Sequence, residues 1–177
     1  MNIEGAGAIT QRDLVINALR MRPDRIVVGE CRGPEAFDMM QAMNTGHDGS
    51  MTTTHANSTR DAFSRLETMV MMASQNVPDR VIRQMLTSAI QIVIHCARMN
   101  DGTRKITSIS EVTGVADEHV EMQDIFLLER TGIGTRGRIL GRYAATGVKP
   151  DCLARLVSYG VRLAPSIFQE TQEIKDH

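Results

Sequence analysis

The chain has no tryptophan, and its 2 Tyr and 4 Phe hold aromatics to 3% of 177 residues. Surfaces for single-stranded nucleic acid stack bases on aromatic rings, so that class is poorly served. Lysine is almost missing: 3 Lys stand beside 17 Arg, and none precedes Lys105. The formal net charge is only −1, which argues against a strongly basic nucleic-acid binder and against an acidic disordered tail. The 3 cysteines, Cys31, Cys96 and Cys152, lie far apart with no C-x-x-C, which excludes a disulfide framework and a thiolate zinc site and fits a reducing compartment. No apolar run approaches the ~18–20 residues of a membrane span. The first residues lack the basic and apolar stretches of a signal peptide. Nothing matches G-x-x-x-x-G-K-[ST], the loop whose backbone amides and lysine cradle nucleotide phosphates.

What is present reads as globular. Hydrophobic residues make up 42% and charged ones 23%, over a length that suits one domain with its own core. With 12 Met and few rings, that core is expected to be aliphatic and methionine-filled. The arginine bias suits bidentate phosphate or carboxylate contacts, and a biased genomic composition explains it equally well.

Hydrophobic spacing predicts the elements. Thr10 with Asp13 caps a first helix carrying Leu14, Val15, Ala18 and Leu19, and Pro23 stops it. Arg25 to Glu30 is a β-branched run suited to a buried parallel strand. Pro34 opens a second helix with Ala36, Met39, Met40 and Met43 on its stripe, and Gly46 ends it. Ser50 to His55 is a threonine-rich strand. Ser58 with Asp61 caps a third helix with Phe63, Leu66 and Val70. Pro78 opens a fourth, with Val81, Met85 and Ala89 on one stripe and Ile82 and Leu86 beside it. This alternation is an α/β unit with a parallel sheet. Ile90 to Met99, Lys105 to Val112 and Val120 to Leu128 then form an antiparallel meander on the sheet edge, with turns at Asn100-Asp101-Gly102 and Ala116-Asp117-Glu118. Thr131 to Gly137 is a glycine-rich turn, and Arg138 to Tyr143 one more strand. Pro150 opens a last helix stopped by Gly160, and Glu170 to His177 is a polar, frayed end.

Three groups of residues carry chemistry. The run Ile26-Val27-Val28-Gly29-Glu30-Cys31-Arg32 delivers a carboxylate at a strand's C-terminal end, where α/β sheets place their ligand crevice. In a nucleotide hydrolase that acid orients water or holds the Mg²⁺ shell; a solvated Glu30 paired with Arg32 is the plain alternative. Thr52, Thr53, Thr54, His55 and Asn57, after Thr45-Gly46-His47, line up donors on one rim, although a lone histidine is more often structural. Arg12, Arg20, Arg22, Arg25, Arg60 and Arg65 suit phosphate charge, or simply a solvated helix face. Gly132 to Gly137 fits G-x-G-x-x-G, but a strand follows where a pyrophosphate would need a helix N-terminus.

Taken in order, several segments resemble one family. They are Asn2-Ile3-Glu4-Gly5, Ile9 to Leu14, Ala18 to Arg32, Ala42 to His47, His55-Ala56-Asn57 and Ser64 to Glu67. The chain is similar to the secretion and pilus-assembly ATPases of type II/IV systems, and within them to the CpaF-like ATPases of tight-adherence (Flp) pili. The tail, with Thr146 to Pro150 and Pro165 to Phe168, looks like that subgroup's C-terminus.

The resemblance implies a RecA-like P-loop NTPase core fragment, with residues 1–130 the C-terminal part of the ATPase domain and 131–177 its closing hairpin and helix. It implies ATP and Mg²⁺ as cofactors, Glu30 as the Walker B glutamate acting on Mg²⁺ through its water shell, and His47 and His55 as histidine-box residues. His55 and Arg32 are then catalytic beside Glu30. His47, Thr54, Arg20 and Arg22 form the nucleotide rim. It also implies a cytoplasmic homo-hexamer, peripheral at the inner membrane, working with pilus or secretion platform proteins, with no membrane span of its own and no nucleic-acid partner. The Walker A loop and the acidic box are expected upstream of Met1, so the isolated chain is expected to be inactive. A conjugative type IV secretion ATPase, and a non-catalytic interaction module, are the alternatives.

Overall fold

The computed structural model describes residues 7–74 and 76–174, so Asn2-Ile3-Glu4-Gly5 and the last three residues of the tail lie outside it. The fold is α/β, in two compact units: 1–90 with 114–120, and 91–113 with 121–177.

In the first unit the order is α1 (Gln11–Arg20), β1 (Val27–Val28), α2 (Glu35–Asn44), β2 (Met51–Thr52), α3 (Thr59–Ala73) and α4 (Asp79–Ala89). Local chemistry sets the helix starts. Thr10 and Asp13 form a reciprocal capping box at α1, and the Ser58 hydroxyl accepts from the Asp61 amide at α3. Gly46 takes a φ of 93° just beyond α2, a conformation open to glycine at no steric cost.

β1 and β2 pair in parallel, Val27 with Met51 and Val28 with Thr52. Both strands are shorter than the sequence suggests, for a visible reason. Beyond the two rungs the backbone pairing shrinks to single bonds, such as the Cys31 amide to the Thr53 carbonyl, and side chains take other backbone groups. Thr53 Oγ1 donates to the Gly29 carbonyl at 2.6 Å, and Ser50 Oγ accepts from the Ile26 amide at 2.9 Å.

The core of this unit gathers on α2, which packs against α1, α3 and α4. Ala36, Met39 and Met40 are wholly buried there, with Phe63, Leu66, Met69 and Val70 of α3. From α4 come Ile82, Leu86 and Ala89. Val81, expected on the apolar stripe of α4, is instead 48% exposed, because the side turned inward is the one centred on Ile82 and Leu86.

The second unit holds most of a five-stranded sheet in the order β3 (Ile92–Arg98), β4 (Arg104–Ala116), β5 (His119–Ile133), β6 (Ile139–Ala145), β7 (Thr171–Glu173). The meander therefore forms its own sheet and does not extend the β1–β2 pair. Its long rungs, from Ile92 with Glu111 to Arg98 with Arg104, satisfy β3 without help from a parallel neighbour. β5 continues through the expected turn as far as Ile133, with an irregularity between Arg130 and Gly132. Only Thr135–Gly137 turns, as a short 3-10 segment. The polar tail is not frayed throughout: Thr171, Gln172 and Glu173 pair with Ala144, Tyr143 and Arg142. Between β6 and β7 lies α5 (Leu153–Ser158). The buried Glu111 anchors its start, accepting from the Asp151 and Cys152 amides at 2.9 Å each. Burial alone would raise the Glu111 carboxyl; the Cys152, Gln123 and Asp151 hydrogen bonds outweigh it and lower the group overall.

Two measurements check this packing. Met39→Ala should cost about 2–5 kcal/mol in urea unfolding, while Val81→Ala should stay within about 0.5 kcal/mol. The Asp101 carboxylate accepts from the Ile139 and Thr103 amides and the Thr103 hydroxyl, which lowers it from 3.8 to about 2. Its contribution to stability is therefore whole above 3.8 and lost as pH falls through about 2. An Asp101→Asn variant should lack that part of the acid unfolding curve.

Candidate functional site

Glu30 stands two residues beyond the end of β1, on the C-terminal side of the parallel pair. That is where a parallel sheet opens toward a ligand. His55 follows closely on Thr52, the last residue of β2, so the pairing brings both side chains to one rim. Arg32 Nη2 lies 2.6 Å from Glu30 Oε2. His55 Nε2 lies 3.2 Å from Glu30 Oε1, close enough for an electrostatic contact but not aligned as a hydrogen-bond donor.

Glu30 Oε1 is consequently buried without a hydrogen-bond partner. Among the described residues one other buried side-chain oxygen shares that state, Thr54 Oγ1. Buried polar atoms are nearly always paired, so two orphans at the ends of paired strands ask for a ligand or water. The electrostatics fit an anionic carboxylate. The Arg32 hydrogen bond lowers Glu30 below its ordinary 4.5; burial opposes this, and the charges of Arg32, His55 and Arg65 add to the lowering. No group of three His, Cys, Asp or Glu among the described residues makes a metal cage. A cation here would be held through one carboxylate, water and ligand oxygens, as Mg²⁺ commonly is.

The other residues singled out lie elsewhere in the first unit. The half-buried His47 places Nδ1 3.2 Å from the Ala42 carbonyl, at the end of α2. Its own carbonyl accepts from Ser50 Oγ, which in turn accepts from the Ile26 amide. His47 thus borders the N-terminal end of β1, opposite Glu30. Arg20 closes α1, and Arg22 follows in the left-handed region at φ 53°. The first residue of α1, Gln11, touches Glu30, and a ten-residue helix spans about 15 Å, so both arginines sit at the far end of α1 from that contact. Arg12 pairs with Asp38 of α2 at 2.6 Å. Cys31 is buried behind the rim, and burial pushes its thiol up, which makes it inert.

Two residues the motifs did not mark also meet Glu30 or its turn. Gln11 Nε2 donates to the Glu30 carbonyl at 2.5 Å. Glu35 Oε1 accepts from the Arg32 and Gly33 amides at 2.6 and 3.0 Å. Their only sequence signals are a glutamine in a first helical turn and an acid directly after a helix-opening proline.

Residues 1–139 match the family model described as "Type II/IV secretion system protein". The chain belongs to this family. Among its relatives, a putative conjugal transfer protein of Mycobacterium tuberculosis is 42% identical over 109 residues, 62% of this chain and 30% of that protein. The type IV secretion system protein VirB11 of Bartonella henselae is 38% identical over 109 residues, 60% of this chain and 30% of that protein. A solved structure of the VirB11 ATPase from the Brucella suis type IV secretion system, in complex with sulphate, aligns with a TM-score of 0.54 at 37% identity, over 57% of this chain and 31% of that one. The chain thus spans well under half the length of these family members. No helix among its described residues is long and apolar enough to cross a membrane.

If Arg32 sets the charge state of Glu30, Arg32→Gln should raise the Glu30 titration toward its ordinary value of 4.5. Carboxyl ¹³C NMR reads this. The unfolding midpoint near neutral pH should stay close to that of the unsubstituted chain, because Arg32 is exposed.

Proposed function

We propose that this chain is the C-terminal part of a secretion motor that hydrolyses ATP with Mg²⁺. On this reading residues 1–130 belong to a RecA-like ATPase domain and 131–177 close it. The observation that carries it is the rim itself: a lowered carboxylate with one buried, unpartnered oxygen, at the mouth of a parallel strand pair, beside His55 and Thr54. The Brucella suis VirB11 ATPase was solved in complex with sulphate, which supports oxyanion binding within the family.

The chemistry follows from the charge state. With Arg32 holding Oε2, the free Oε1 accepts a hydrogen bond from a water and aims it at the γ-phosphorus. The water oxygen bonds to phosphorus as the bond to the ADP oxygen breaks. A carboxylate lowered below 4.5 is a weak base, so Glu30 acts mainly by orientation and field, and the proton passes on to the phosphate product. His55 faces the same oxygen and is placed to sense the γ-phosphate. Mg²⁺, when bound, screens the phosphate charge, and Glu30 would hold its water shell. No G-x-x-x-x-G-K-[ST] phosphate loop occurs within this sequence. His47, Arg20 and Arg22, at the other end of β1, are placed for contacts outside this rim, such as a neighbouring subunit of a hexameric ring.

The intact protein would work in the cytoplasm at the inner membrane, with platform proteins. Tail resemblance favours Flp pilus assembly, while the kinship with conjugal transfer and VirB11 proteins favours conjugative type IV secretion. A second reading has its own support. Val27 and Met51, paired on one face of the parallel ladder, are 68% and 58% exposed, although parallel sheets are normally covered on both faces. On this second reading the chain by itself is a docking module without turnover.

In the intact protein Glu30→Gln should lower ATP turnover by about 10²-fold or more while nucleotide affinity changes little. Turnover at the parental rate would sink the role of Glu30. Tight ATP binding by the 177-residue chain alone, measured by calorimetry, would sink the docking-module reading.

A further inference from the structure

The parallel ladder is two rungs long, and Glu30 lies beyond it. Something else must hold the carboxylate still. Upstream, Thr53 Oγ1 donates to the Gly29 carbonyl and Gln11 Nε2 to the Glu30 carbonyl. The Cys31 amide donates to the Thr53 carbonyl at 2.9 Å. Downstream, both remaining amides of the turn, those of Arg32 and Gly33, converge on one atom, Glu35 Oε1, at 2.6 and 3.0 Å.

Glu35 is 5% exposed, and no ion pair to it occurs among the described residues. An acid buried without a cation is costly unless hydrogen bonds replace those it made to water. Here they go to the backbone that links Glu30 to α2. Pro34, at the cap position of α2, makes no side-chain cap bond, so Glu35 reaches back from the first turn instead. That fixes the peptide planes of Arg32 and Gly33. The backbone from which the Arg32 side chain reaches Glu30 is held with them.

We propose that Glu35 is a positioning residue for the Glu30–Arg32 pair, acting through the backbone of residues 31–33 and touching no substrate. This rests on the reading of Glu30 given above. It is more than a helix cap, because its two acceptor bonds hold the backbone that carries Arg32, the residue that takes one Glu30 oxygen and leaves the other without a hydrogen-bond partner.

The test uses a feature of the geometry: one oxygen accepts both bonds. Glu35→Gln keeps an acceptor oxygen there, whereas Glu35→Ala removes it. In the 177-residue chain, carboxyl ¹³C NMR follows the Glu30 titration, with the signal identified by its loss in Glu30→Gln. The titration is expected to move up toward 4.5 in Glu35→Ala and to stay lowered in Glu35→Gln. In the intact ATPase, Glu35→Ala should lower kcat by about 10²-fold with little change in KM, and Glu35→Gln should retain most of it. A Glu35→Ala chain that only unfolds earlier, with the Glu30 titration and kcat unchanged, would overturn the proposal. Should that variant fail to fold, Glu35→Asp keeps the charge but falls one methylene short. An unshifted Glu30 titration in Glu35→Asp would overturn the proposal equally. The two readings fail separately: full turnover by Glu30→Gln removes the catalytic role of Glu30, while the NMR titration still decides whether Glu35 orders it.

Discussion

The parallel pairing of Val27–Val28 with Met51–Thr52 is the constraint on which the site depends. It draws together two strand ends separated by the whole of α2, and so sets Glu30 beside His55. A ladder of two rungs supplies little cooperativity of its own. Its stability comes from α2, whose buried Ala36, Met39 and Met40 pack this unit against α1, α3 and α4. The charged rim is thus carried on an element held by an apolar layer. Methionine suits that layer, because its unbranched, polarisable side chain fills irregular gaps where large rings are scarce.

Side-chain-to-backbone bonds take the place of longer strands. Thr53, Ser50, Gln11 and Glu35 each satisfy a backbone group beyond the ladder. The arrangement leaves Glu30 with one oxygen bound to Arg32 and one without a hydrogen-bond partner. A carboxylate split in this way is asymmetric by construction, which is what an orienting acceptor needs.

How much of this was legible depended on how local the cause was. The caps at Thr10–Asp13 and Ser58–Asp61 could be read because both partners lie three residues apart. Glu30 and His55 could be read as strand-end residues because β-branched and threonine-rich runs announce strands. The inward side of α4 could not: Val81 and Ile82 are both apolar neighbours, and only the positions of other helices decide which is buried. The separate sheet was hidden for the same reason, since a meander's strands do not say which neighbour they will take. The β7 segment is polar, and its pairing with β6 comes from tertiary approach rather than from propensity. Glu35 and Gln11 were invisible because their roles exist only once α1 and α2 flank the turn.

The bonds at Glu35 have a consequence for motion. The amides of Arg32 and Gly33 belong to no helix or strand, and Arg32 is exposed, so by shape they form an ordinary surface loop. Their hydrogens are nevertheless held by a buried acceptor that sits on the central helix of the unit. Exchange with solvent deuterium would require Glu35 to release them, by turning its side chain or by opening the first turn of α2. The loop beside Glu30 is therefore tied to the first turn of the central helix and should exchange more slowly than its surface position suggests.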